Sequence, residues 1–230
     1  MLKKKLMLLN PFGSMGADSE EILPEGGLGA VAAHAGVGKT ALLVQLALNA
    51  MIRGKKVLHI SLQDPVNKVS IWYHELFNNI VQQLGITGSH EIWEEILPNR
   101  FIMTFKVEGF NVPKLKERLT DLMAQNIFLP QIVIIDGLNF DEDVRETVTA
   151  LQALAGEHAL RLWFTVHVHR HEEPAIEEMP SRLATMADFF EVVIKLLPED
   201  GVTCIKPLKV KSAFPPLFLD PATMLIRQQS

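Results

Sequence analysis

The stretch AVAAHAGVGKTALLVQ, residues 30–45, carries side chains and spacings suited to holding phosphate. It contains Gly38-Lys39-Thr40 and meets the pattern G-x-x-x-x-G-K-[ST] at every fixed position but the first, where Ala33 replaces Gly. Such a loop works because consecutive backbone N–H groups turn inward around an anion, and the helix that follows adds its positive end. On this reading the backbone of Ala35, Gly36, Val37, Gly38, Lys39, Thr40 and Ala41 cradles the phosphates of a nucleotide. Lys39 reaches the β and γ phosphates and Thr40 ligates Mg²⁺. Ala33 is tolerable there if its backbone is strand-like, and His34 is expected to point to solvent. The run IVIIDG supplies the complementary group: four apolar residues place Asp136 at a strand's carboxyl end, where it holds Mg²⁺ beside the loop.

A second constellation is HVHRHEE, with His167, His169 and His171 at alternate positions. On a strand they share one face. Alternating histidines are a transition-metal ligand pattern, but no cysteine or second histidine cluster lies nearby in sequence.

The segments around these residues alternate between strand and helix patterns. LGAVAA (28–33) reads as a buried strand feeding the loop, and KTALLVQLALNAMIRG as a helix that is apolar on nearly every face. KVLHISL is a second strand and KVSIWYHELFNNIVQQLG an amphipathic helix. RFIMTFKV, QIVIIDG and LRLWFTVHVHR read as three more strands. The helix VPKLKERLTDLMAQN has Pro113 near its first turn, and DEDVRETVTALQALAGEHA has acidic residues in its first turn. This alternation predicts an α/β fold, a mostly parallel twisted sheet with helices on both faces. The tail segments FEVVIKLL, GVTCIKPLKVK and PLFLD read as antiparallel hairpins on the sheet edge, with PEDG as a turn. Turn residues mark residues 1–27 as a lead-in, with one nucleotide-binding domain over 28–230.

Composition limits the setting. The formal net charge of −5 argues against a general nucleic-acid coat, whose binding is carried by Lys and Arg. A lone cysteine, Cys204, excludes an intramolecular disulfide and suits a reducing compartment. The basic opening MLKKKLMLLNPFG has too short an apolar run for a signal peptide, and no apolar stretch reaches the ~20 residues that span a bilayer. A cytoplasmic protein with no membrane association is expected.

With the loop, the strand VLHISLQDP, the strand IVIIDG and the tail ADFFEVVIKLL…CIKPLKVK in view, residues 25–220 resemble the RecA-like P-loop ATPases, the group of RecA, RadA, the DnaB helicases and KaiC. The resemblance implies ATP and Mg²⁺ as ligands. It also implies that Lys209 and Lys211 reach a neighbour's nucleotide across the interface of a homo-oligomer. The alternative is that both lysines belong to a solvated edge strand, where Lys discourages aggregation. In this family the strand after the loop helix ends in a Glu that activates the attacking water. Here Gln63 stands at that place, followed by Asp64, which would serve only if the strand end were rearranged. Glu108 is a further carboxylate at a strand end. The resemblance also makes LRLWFTVHVHR a sensor strand, with His169 or Arg170 near the γ-phosphate. The segment where relatives carry a DNA-binding loop holds Glu172, Glu173, Glu177 and Glu178 against Arg182, which favours a protein partner or a lid over nucleic acid. Slow or conditional ATP hydrolysis by a nucleotide-dependent switch or assembly module is the function implied. A pseudo-ATPase interaction module without turnover stays open beside it. KKVLHISLQDPVNK also resembles the ParA/MinD group, but that group's signature Lys would fall at His34, and Gly137-Leu138-Asn139 follow Asp136 where it has Pro.

Overall fold

The computed structural model describes residues 22–106, 109–169, 179–211 and 215–228. Strands β1 (Leu28–Ala33), β2 (Val57–Ser61), β3 (Arg100–Thr104), β4 (Ile132–Asp136) and β5 (Arg161–His167) alternate with helices. These helices are α1 (Lys39–Ile52), α2 (Val66–Gln83), α3 (Ser89–Ile96), α4 (Val112–Ala124) and α5 (Arg145–Glu157). The short helix α6 (Ser181–Ala184) precedes β6 (Val192–Glu199), β7 (Val202–Lys209), β8 (Leu217–Leu219) and β9 (Ile226–Gln228). Among the described residues they form a 9-stranded sheet in the order β3-β2-β4-β5-β1-β6-β7-β8-β9. From β3 to β6 every pairing is parallel, and from β6 to β9 every pairing is antiparallel. The protein is thus α/β, with a mostly parallel sheet and antiparallel strands at its C-terminal end.

The sheet is covered on both sides because its strands are apolar on both faces. Val31 and Ala33 of β1 pack with α1, α2 and α3, while Ala30 and Ala32 pack with α4 and α5. Helix α2 buries Val69, Tyr73, Leu76, Phe77 and Val81, a stripe at helical spacing. Full burial of a side chain such as Phe77 contributes ~1.5–3 kcal/mol. Helix α1 buries eleven of its residues, from Ala41 to Ile52, among them the polar Gln45 and Asn49.

Besides the short α6 and β9, neither of them expected, three segments differ from the pattern expected of the sequence. Helix α5 starts at Arg145 rather than at Asp141. Asn139 Oδ1 accepts from Asp141 N at 3.1 Å and Asp143 Oδ1 accepts from Arg145 N at 3.1 Å, so these side chains build turns in place of a first helical turn. Helix α3 was not anticipated; it is eight residues long and buries only Ile92 and Ile96. Strand β6 is more than half of a hairpin, because its other edge runs parallel to β1 from Val192 to Lys195. The tight turn after β6 is Asp200-Gly201, both at positive φ, with Pro198 and Glu199 still in the strand. The lead-in joins the domain through Leu23, buried, whose carbonyl accepts from Arg161 Nε at 2.9 Å. No helix among the described residues is long and apolar enough to cross a membrane.

Candidate nucleotide site

The loop leaves β1 at Ala33, which pairs in register with His167 and whose carbonyl accepts from Val168 N at 3.0 Å. The backbone is therefore extended where the pattern has glycine, and a methyl group is accommodated. His34 does not simply point to solvent: its Nδ1 lies 2.7 Å from the Val168 carbonyl, and the ring is half-buried. The chain then turns through Gly36 at φ 76° and Gly38 at φ 111°, conformations that suit glycine. At Gly38 even a Cβ would stand 2.7 Å from Met224 Cε and 2.8 Å from Leu219 Cδ1. The β8–β9 turn thus packs directly on the loop. No described side chain caps the first turn of α1, whose N–H groups stay available to an anion.

Lys39 folds into the loop, its Nζ donating to Ala33 O at 2.9 Å and His34 O at 2.8 Å. Burial lowers its pKa to about 8, against the opposing pull of Asp136. Asp136 closes the site from β4. Its Oδ2 accepts from Thr40 Oγ1 at 2.9 Å and its Oδ1 from Thr165 Oγ1 at 2.7 Å. Thr165 in turn accepts from Gly137 N at 2.9 Å, so one hydroxyl on β5 fixes both the carboxylate and the backbone behind it.

Gln63 lies against this strand end. A Cβ on Gly137 would be 2.9 Å from Gln63 Cγ and 3.3 Å from its Nε2. The side chain that stands where a water-activating Glu was expected is exposed, close to the residue that follows Asp136. Asp64 is engaged elsewhere: its Oδ1 accepts from Lys68 Nζ at 2.8 Å, and its backbone is tied to Ser61 Oγ at 3.0 Å and 2.8 Å.

A family model described as AAA domain matches residues 19–173, well over half of the chain. The chain belongs to this AAA domain family. No curated protein matches it. An AAA domain is a nucleotide-binding P-loop domain of the ATPase type, and its use of a nucleotide with Mg²⁺ agrees with the chemistry of the donors present. The Thr40 hydroxyl and Asp136 carboxylate, 2.9 Å apart, are hard oxygen ligands of the kind Mg²⁺ takes.

Other residues singled out in the sequence of this AAA domain are variously engaged. His167 closes β5, and His169 lies beyond the strand with its Nε2 2.7 Å from Asp141 Oδ2. The two rings meet edge to face at 4.7 Å. Burial, then Lys39, then His169 lower the pKa of His167. No group of three His, Cys, Asp or Glu arranged to hold a metal occurs among the described residues. His171, Arg170, Glu108 and the acidic residues 172, 173, 177 and 178 lie outside them. Lys209, half-buried, donates from Nζ to Ala187 O of its own chain at 2.9 Å. Lys211, two residues on, is exposed.

Two groups near Asp136 were missed in the sequence, Thr165 and His59. Each is the polar residue inside an apolar strand run, LWFTV and VLHI, which was the available signal. His59 is fully buried, with Nδ1 3.1 Å from Tyr73 Oη and Nε2 3.9 Å from Asp136 Oδ2. Burial outweighs the nearby carboxylates and lowers its pKa to about 4.

Proposed function

We propose that this AAA domain binds Mg²⁺-ATP through residues 35–41 in a RecA-like manner and hydrolyses it slowly or conditionally, as a nucleotide-dependent switch or assembly module. The observation that carries the reading is Gln63, whose side chain lies close to Gly137, the residue that follows Asp136. An amide there orients a water molecule but takes no proton from it. In binding, Lys39 would exchange the Ala33 and His34 carbonyls for phosphate oxygens, and the loop amides and the uncapped turn of α1 would surround the phosphates. Thr40 and Asp136 would hold Mg²⁺, which when bound offsets phosphate charge. Residues 35–41 bind, Thr165 orients Asp136, and Gln63 aligns water.

A second reading, nucleotide binding with no turnover, is favoured by Asp64, whose carboxylate is held by Lys68. Calorimetry with ATP, ADP and GTP, with and without Mg²⁺, followed by phosphate release on the same sample, separates the two. Mg²⁺-dependent ATP binding with a slow, measurable release supports the first reading, and binding without release the second. Absence of binding overturns both. The acidic balance and single cysteine support a cytoplasmic protein that works with a protein partner rather than nucleic acid.

A further inference from the structure

His59 stands on β2 one diagonal step from Asp136. The register pairs His59 with Ile134 and Ser61 with Asp136, so both side chains project from the same face of the sheet, toward α1. The imidazole is inaccessible to solvent, and its two nitrogens differ in what they meet. Nδ1 meets the hydroxyl of Tyr73, itself fully buried on α2, at 3.1 Å. Nε2 has no hydrogen-bond partner among the described residues and faces Asp136 Oδ2 at 3.9 Å. A polar atom left unpaired inside a native core is rare and calls for a reason beyond packing.

The geometry around Asp136 supplies one. Thr165 anchors Oδ1, while Oδ2 is held by Thr40, the same hydroxyl proposed as a cation ligand. A carboxylate anchored at one oxygen can still pivot about that contact. His59 Nε2 also faces Oδ2, at 3.9 Å. A shift of about 1 Å would bring the two to hydrogen-bond distance. Tyr73 decides which nitrogen carries the proton. When its hydroxyl donates to Nδ1, the proton of the neutral ring sits on Nε2, toward Asp136. The Arg100 guanidinium lies over the Tyr73 ring at 4.7 Å and helps to fix it.

We infer that His59 is a positioning residue for the metal carboxylate: Tyr73 holds its proton on Nε2, and that N–H steadies Asp136 Oδ2 while Thr40 serves the cation. The inference rests on the proposed Mg²⁺-ATP reading. Partners behind a metal ligand typically change metal affinity by about 10–100-fold when removed.

The test compares the ratio of ATP Kd in EDTA to ATP Kd in Mg²⁺ for the wild type, His59→Phe and Tyr73→Phe, by calorimetry on the full chain. The ratio is expected to fall about tenfold in His59→Phe and in the same direction in Tyr73→Phe. A wild-type ratio of one would overturn the Mg²⁺ reading and this inference together. A large wild-type ratio that survives in His59→Phe overturns this inference alone. Nitrogen NMR of the histidines in the unaltered protein gives an answer that requires no variant to fold. A buried ring protonated on Nε2 is expected, and one protonated on Nδ1 overturns the assignment.

Discussion

At the residue scale the site is decided by two side chains with opposite expected effects. Lys39 sits on the carbonyls of Ala33 and His34, so it is already poised within the loop. Lys39→Ala should weaken ATP binding by about 1.5–3 kcal/mol, the value of a hydrogen bond to a charged group. Titration calorimetry checks this, and equal affinities for the two proteins would show that the loop does not hold the phosphates. Gln63 concerns turnover rather than binding. General-base assistance is worth ~10²–10⁴-fold, so Gln63→Glu should raise phosphate release clearly above the wild type. Gln63 lies close to Gly137, the residue after Asp136, so a carboxylate at position 63 would stand at the same strand end. A Gln63→Glu protein that binds ATP and gains nothing would remove position 63 from the mechanism. Brisk wild-type release that survives Asp64→Asn would point to another base.

At the element scale, α1 does more than follow the loop. Gln45, buried in its middle, donates to Met224 O at 2.8 Å and accepts from Ile226 N at 2.9 Å. One side chain thereby fastens the β8–β9 turn to the loop helix, and Asn79 Nδ2 adds a bond from α2 to Thr223 O at 3.0 Å. That turn delivers Met224 and Leu219 onto Gly38. Gln45→Ala would leave a backbone donor and acceptor without their partner, at a cost of about 1–3 kcal/mol. A lower urea midpoint is expected, together with weaker ATP binding as the packing on Gly38 loosens. An unchanged midpoint would mean that water replaces the amide without loss.

At the scale of the whole molecule, charge and assembly matter. With a net charge of −5, the protein should give no salt-sensitive shift of single- or double-stranded DNA at physiological salt and submicromolar concentration. A shift that weakens steeply with added salt would contradict this. If subunits meet at the nucleotide, release per protomer should also rise with protein concentration. Lys209 would first have to leave the Ala187 carbonyl, whereas Lys211 is exposed.

The sequence by itself placed β1 to β8, the helices α1, α2, α4 and α5, the loop pattern at residues 33–40 and the carboxylate at the end of IVIIDG, because hydrophobic period and motif spacing are local properties of the chain. It missed α3, whose eight residues bury only Ile92 and Ile96, and the short α6 and β9, and it started α5 early, because Asn139 and Asp143 bond to nearby backbone instead of entering the helix. Only the tertiary structure decided what surrounds Asp136. Thr165, 29 residues away, bonds to it because β5 lies beside β4, and His59 stands 3.9 Å from it because the β2–β4 register sets it one diagonal step off. The same holds for Lys209 on Ala187 and Gln45 on Met224. Each contact joins segments distant in sequence, and their meeting depends on strand order and register, which side-chain period does not encode.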